Sequence, residues 1–304
     1  MFRSARRPWQ GRLLESSPWL WDVPDFETVL ATAANAQHAS DVLVGARRTA
    51  SIERARAGAD HWNRWAIDMA LLGRDIADDM AATAAWRILA ASDFSGTTFA
   101  RGADFGGFLF PDRVSFAQCV FQSDAHFHAI DVGADAEFGG AAFARRVHFE
   151  NAAFRAGASF SHVLFGGSVQ FRCASFGGHA CFADTEFQRD TWFRGTRFEQ
   201  SVTFADSRFH GDAGLGECRF GGFADFSRSV FEDTLGLDGS AFDGAASFRQ
   251  AEFEGKVWLN GARFSADVDL SSARFAGEVV FDGLRQQGLP GGALVAAVLS
   301  RRSR

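Results

Sequence analysis

The chain has 304 residues and a formal net charge of −6, with 34 Phe, 32 Gly, 5 Pro, 4 Cys and no Tyr. Its hydrophobic fraction of 47% is too high for a wholly disordered chain. No apolar run approaches the ~18 residues a membrane-spanning helix needs, which excludes a span.

Residues 1–24 hold three prolines, three tryptophans (Trp9, Trp19 and Trp21) and four arginines. They read as an irregular segment without the apolar core of a signal peptide, so a cytoplasmic protein is expected. The tryptophans pack back on the following helices or form a docking peptide; otherwise the segment is a floppy tail.

Residues 25–92 read as an α-helical N-terminal cap. Asp25 can cap a first helix and Ser40 a second that ends near Gly58. A third starts near Asp60, with Trp62, Trp65, Ala66, Met69, Leu72, Ile76 and Met80 at helical spacing on one face. Another turn or two follows, carrying Trp86 and Leu89.

From Phe94 to Phe281 a large apolar residue recurs with spacing 5, 6, 5, 6 through 35 positions without a slip, and 30 of them are Phe. A smaller residue sits two positions before each, as in Ala103, Val114, Cys119 and Val147. Both point inward while the polar residues between them point outward, which is the alternation of a short strand. Gly, Ser, Ala and Asp follow and suit tight turns. So short a unit cannot bury its own face and must stack on copies of itself.

Five plus six is 11, so an even number of units must close a coil. Leu215, Leu237 and Leu259 replace Phe at intervals of 22, and outward His126, His148, Gln170 and Trp192 share that interval. Both favour four sides and 22 residues per coil. Proline is absent between 112 and 289, as coil-to-coil backbone bonding requires. A Tyr hydroxyl sealed in this core would lack a partner, at a cost of about 1–3 kcal/mol.

The run "ASFSHVLFGGSVQFRCASFGGHACFADTEF" resembles pentapeptide-repeat proteins, in particular a Phe-rich variety in which units pair as elevens. The resemblance covers 94–283. It departs from the simplest A-(D/N)-L-x-x pattern by its central Phe and by a sixth residue in alternate units. What it implies is an all-β solenoid, a right-handed quadrilateral β-helix over 93–283 of about 8.5 coils, without catalytic activity. About 8.5 coils at ~4.8 Å per rung make a rod roughly 40 Å long. Residues 284–304 read as a C-terminal helix beginning at Pro290 and closed by Arg301 and Arg302. It either covers the last coil or pairs two copies end to end.

No nucleophile elbow, Walker loop, HExxH or dinucleotide fingerprint is present, so neither an enzyme nor a cofactor is expected. His126, His128 and His148, with Glu150 near, form a candidate metal group, set against the expectation of an unoccupied surface ladder. Trp192 and Trp258 face outward on one side and are the candidate partner-contact residues, with packing against the N-terminal segment as the alternative. Cys119 and Cys218 occupy small inward positions, Cys181 points out and Cys173 sits at a turn.

The family resemblance also implies mimicry of duplex DNA, by which some members inhibit type II topoisomerases such as gyrase. A 40 Å rod imitating B-DNA needs roughly 24 negative charges, whereas residues 94–283 contain 25 acids and 16 bases, a net of −9. Acids and arginines are interleaved on every face. The sequence therefore favours a rigid protein-binding or scaffold module with a protein partner, and no direct nucleic-acid or membrane binding. DNA mimicry is the alternative.

Overall fold

A computed structural model of the chain describes residues 41–287, 289–290, 295–296, 298 and 300. The first helix expected from Asp25, the Ser40 cap, the N-terminal tryptophans and the Arg301/Arg302 helix end lie outside the described residues.

The repeat folds as a parallel β-solenoid of about nine coils. Two-residue strands stack into four sheets, three of nine strands and one of ten. Each strand pairs with the one 22 residues on, as Val147 does with Val169 and Phe154 with Phe176. The large residues form four ring columns inside. Phe182 and Phe204 stack at 4.8 Å with their planes 9° apart. Phe171 and Phe193 stack at 4.7 Å. Rings of opposite columns meet edge to face across the axis, as Phe171 does with Phe160 at 5.4 Å and with Phe182 at 5.5 Å. Both arrangements are favoured by the ring quadrupole.

The alternation of five and six has a backbone cause. After each large residue of the Phe94 and Phe105 columns the chain turns in four residues. The residue two positions on has φ between 54° and 73° at all 18 turns, seven of them glycines. That is the third position of a type II turn. The other eleven, Cys173 among them, adopt a conformation unfavourable for L-residues. Ten of their N–H groups bond the next coil, Cys173 to the Arg194 carbonyl at 3.0 Å. The other two corners carry the sixth residue. There coils approach closely, and a Cβ on Gly244 would lie 2.3 Å from the Gly222 oxygen.

Hydroxyls and thiols at the small inward positions before the Phe99 and Phe110 columns are satisfied, contrary to the expectation that this interior offers no acceptor, whereas the buried Ser92 hydroxyl in the first coil finds none. Thr185, Thr196, Ser229 and Ser240 donate to the carbonyls of Phe160, Phe171, Phe204 and Leu215, each 25 residues back, at 2.6–3.0 Å. Cys119 and Cys218 make the same bond to Phe94 and Phe193 at 3.0 Å. These acceptors lie at the corners, within reach of a short side chain.

Among the described residues three helices precede the solenoid: α1 (Asp41–Arg56), α2 (Ala59–Asp75) and α3 (Met80–Ala90). Asp79 caps α3 by accepting from the Ala81 and Ala82 N–H groups. The turn or two expected around Trp86 is thus a full helix. Met80 does not continue the buried face of α2. That helix ends at Asp75, and Met80 opens α3 with 88% of its surface exposed.

Trp62 stacks on Phe108 at 5.3 Å, and its Nε1–H donates to the Leu109 oxygen at 2.7 Å. The Asn63 amide donates to the Gly107 oxygen and accepts from the Leu109 N–H. It thereby bonds the open edge of the first coil as a further strand would, which is how an exposed edge is blunted. At the other end Pro290 does not start a helix. It pairs antiparallel with Arg285 in a short hairpin, a position where its missing N–H is tolerated. Helical residues Val295, Ala296 and Val298 follow. Buried Val298 lines an apolar cavity of about 20 Å³ beside Leu237, Leu259 and Leu270, where Leu stands in place of Phe.

Phe171→Ala should lower unfolding free energy by about 3–5 kcal/mol in denaturant titration. Phe223→Ser, at a 46% exposed corner, should change it by less than about 0.5 kcal/mol. Equal effects would contradict the ring columns.

Candidate partner-binding face

One outward column runs Asp104, His126, His148, Gln170, Trp192, Gly214, Gly236, Trp258 and Val280, successive members being paired strand neighbours. The His126 and His148 rings stack at 5.0 Å, 10° from parallel. His128 stands edge-on to His126 at 6.2 Å, with its ring over Gly106. The His148 Nδ1 lies 3.0 Å from Glu150 Oε1. Parallel imidazoles offer each other their faces, whereas metal coordination uses in-plane nitrogen lone pairs. Among the described residues no three His, Cys, Asp or Glu side chains converge on one point.

Trp192 and Trp258 are both half-buried on this face. They stand three rungs apart, about 14 Å at ~4.8 Å per rung. The two intervening positions are glycine, a feature that sequence reasoning missed although both lie on the same 22-residue interval. The Trp192 indole lies over Gly214, where a Cβ would come within 2.4 Å of Cε3. A Cβ on Gly236 would meet nothing nearer than 4.0 Å. The result is a notch one rung wide between the indoles. Arg172 lies 5.7 Å from the Trp192 ring centre, and Lys256 5.8 Å from that of Trp258.

Eight Arg or Lys ion pairs join neighbouring coils of the rod. Arg146–Asp124, Arg155–Asp131, Arg194–Glu217 and Arg208–Glu232 lie at 2.6–3.0 Å. Arg219–Asp243, Arg228–Asp206, Lys256–Glu278 and Arg274–Glu252 lie at 2.5–3.0 Å. The hydrogen bond from Arg228 holds the Asp206 carboxyl below its ordinary range, and bonds from Arg208 and His210 do the same for Glu232. A surface depression lined by Asp184, Glu186, Asp206, Arg208 and His210 belongs to this network. His210 sits 2.8 Å from Glu232 and 3.2 Å from Glu186.

Burial pushes the Cys119 and Cys218 thiols up to about 12, while Cys173 is exposed and Cys181 half-buried. Since the thiolate is the nucleophile, iodoacetamide at pH 8 followed by mass spectrometry should find Cys173 and Cys181 alkylated and Cys119 and Cys218 intact. Rapid labelling of Cys218 in the folded protein would show that the core is not sealed.

No helix among the described residues is long and apolar enough to cross a membrane. No curated protein and no solved structure matches the chain. A family model described as pentapeptide repeats (9 copies) matches residues 171–219, 193–241 and 204–252. Those segments lie within the aromatic columns, and the same register holds on both sides of them; the chain contains pentapeptide repeats.

Proposed function

We propose that this protein is a non-catalytic, rigid binding module of the cytoplasm whose contact surface is the face carrying Trp192 and Trp258. The observation that carries the reading is the pair of half-buried indoles, three rungs apart on a flat face, with glycine at both positions between them. Tryptophan is enriched among residues that dominate binding energy. A stiff solenoid holds such side chains at fixed spacing, which limits the entropy lost on association.

The interior argues against catalysis. Its inward positions are filled by Phe, Leu and small residues, and the apolar cavity of about 20 Å³ is far below the several hundred Å³ of a substrate pocket. DNA mimicry is disfavoured by charge: eight of the rod's acids are paired with an Arg or Lys of a neighbouring coil, which breaks up any phosphate-like field.

The test uses the wild-type chain and a Trp192→Ala/Trp258→Ala variant as baits in host lysate, beside a gyrase supercoiling assay. The variant should keep the wild-type melting temperature and lose at least ~10-fold of the captured partner, a loss of about 1.4 kcal/mol, and neither protein should inhibit supercoiling. Equal capture by both baits would overturn the assignment of the face. Salt-sensitive inhibition of gyrase at sub-micromolar protein would overturn the module reading in favour of mimicry.

A further inference from the structure

Resting on the reading of this face as a protein contact surface, we infer that the notch over Gly236 receives an arginine side chain of the partner. The notch is a single rung wide. Trp192 covers Gly214 on one side, and the Trp258 strand follows Gly236 on the other. The space between rungs 214 and 258 is about 10 Å centre to centre, which suits one flat group rather than a strand or helix. The lack of a side chain at Gly236 lets that group reach the sheet backbone.

The chemistry of the rim selects a cation. Indole faces attract cations, and both tryptophans already have one nearby, Arg172 and Lys256. Of the cations near the notch, Arg194 is paired with Glu217 at 2.6 Å and Lys256 with Glu278 at 2.9 Å, while Arg172 lies by the Trp192 ring. Asp212 and Asp238 remain as the acidic rim. Each holds a backbone N–H through Oδ1, Asp212 that of Thr234 at 3.2 Å and Asp238 that of Asn260 at 3.0 Å. These bonds fix the carboxylates in place. Asp238 Oδ2 lies 4.0 Å from where a Gly236 Cβ would stand. A guanidinium meets all of these conditions at once, because it is planar, stacks on indole and bonds a carboxylate through two N–H groups. An ammonium can form the ion pair but cannot stack as a plane.

The experiment titrates isotope-labelled full-length protein with capped pentapeptides carrying arginine, lysine or glycine between glycines, and follows the indole N–H resonances of Trp192 and Trp258 by NMR. The arginine peptide should shift both resonances saturably, with a dissociation constant at least ~5-fold lower than that of the lysine peptide. Gly236→Val should abolish the shift without changing the melting temperature, because position 236 has an ordinary strand backbone and open space for the side chain. Asp238→Asn should weaken it. The inference is overturned if the arginine peptide binds no better than the lysine peptide, if Gly236→Val binds equally well, or if a neutral oligosaccharide moves these resonances and the arginine peptide does not. Failure here with partner capture still lost in the double Trp variant would remove the arginine and keep the face. Arginine binding with capture unaffected would do the reverse.

Discussion

The structure depends on one coincidence of lengths. Parallel strands joined by backbone hydrogen bonds lie about 4.8 Å apart, and that is also a favourable offset-stacking distance for phenyl rings. A Phe repeated every 22 residues therefore stacks on its own copy with no distortion of the ladder, at 4.7 Å for Phe149 on Phe171 and 4.9 Å for Phe160 on Phe182. Backbone and core reinforce each other at every rung. Where the column changes to Leu the ladder continues, since Ala213 still pairs with Leu235 and Leu235 with Val257, but a small void opens beside Leu237 and Leu259. The hydrogen bonds set the rung; the rings fill it.

With the interior fixed this tightly, variation is confined to the outward positions and the corners. Corners tolerate His162, Asp184 or Arg228 at positive φ because the following coil accepts their N–H groups. Faces tolerate almost any residue, and eight acids pair with an Arg or Lys one coil away. The column from Asp104 to Val280 departs from that pattern in its second half, where two indoles flank two glycines. Rigidity turns this local change into a surface of definite shape. A notch on a flexible loop would have to be ordered by its ligand, at an entropic cost that the solenoid has already met in folding.

Much of this was legible in the sequence because the repeat is strict. The 5/6 spacing located the large residues of the four columns, and the Leu interval pointed to four sides rather than two or six. Legibility failed where the periodicity did. Met80 matched the helical spacing of α2, but the break after Asp75 and the Asp79 cap placed it in the next helix. Pro290 resembled a helix start because Pro favours that position, yet hairpin pairing with Arg285 uses the same missing donor. The hydrogen bonds of Thr185 and Ser240 join residues 25 apart, one coil plus three. That offset follows from the corner geometry and leaves no mark in the composition. In the column carrying Trp192 and Trp258 the large residues drew notice and the glycines did not, although the absence of a side chain at 214 makes room for the Trp192 indole and its absence at 236 leaves the notch.

The claim that the face is presented by a rigid rod is tested most directly by amide hydrogen exchange resolved along the chain. Opening one coil breaks bonds to both neighbours, so exchange should be slow and nearly uniform from Phe116 to Phe253 and faster only toward the two ends. Rapid exchange at the amides of Phe193, Leu215 and Leu237, which bond the Gly214, Gly236 and Trp258 carbonyls, would show that this face opens on its own and would contradict the account.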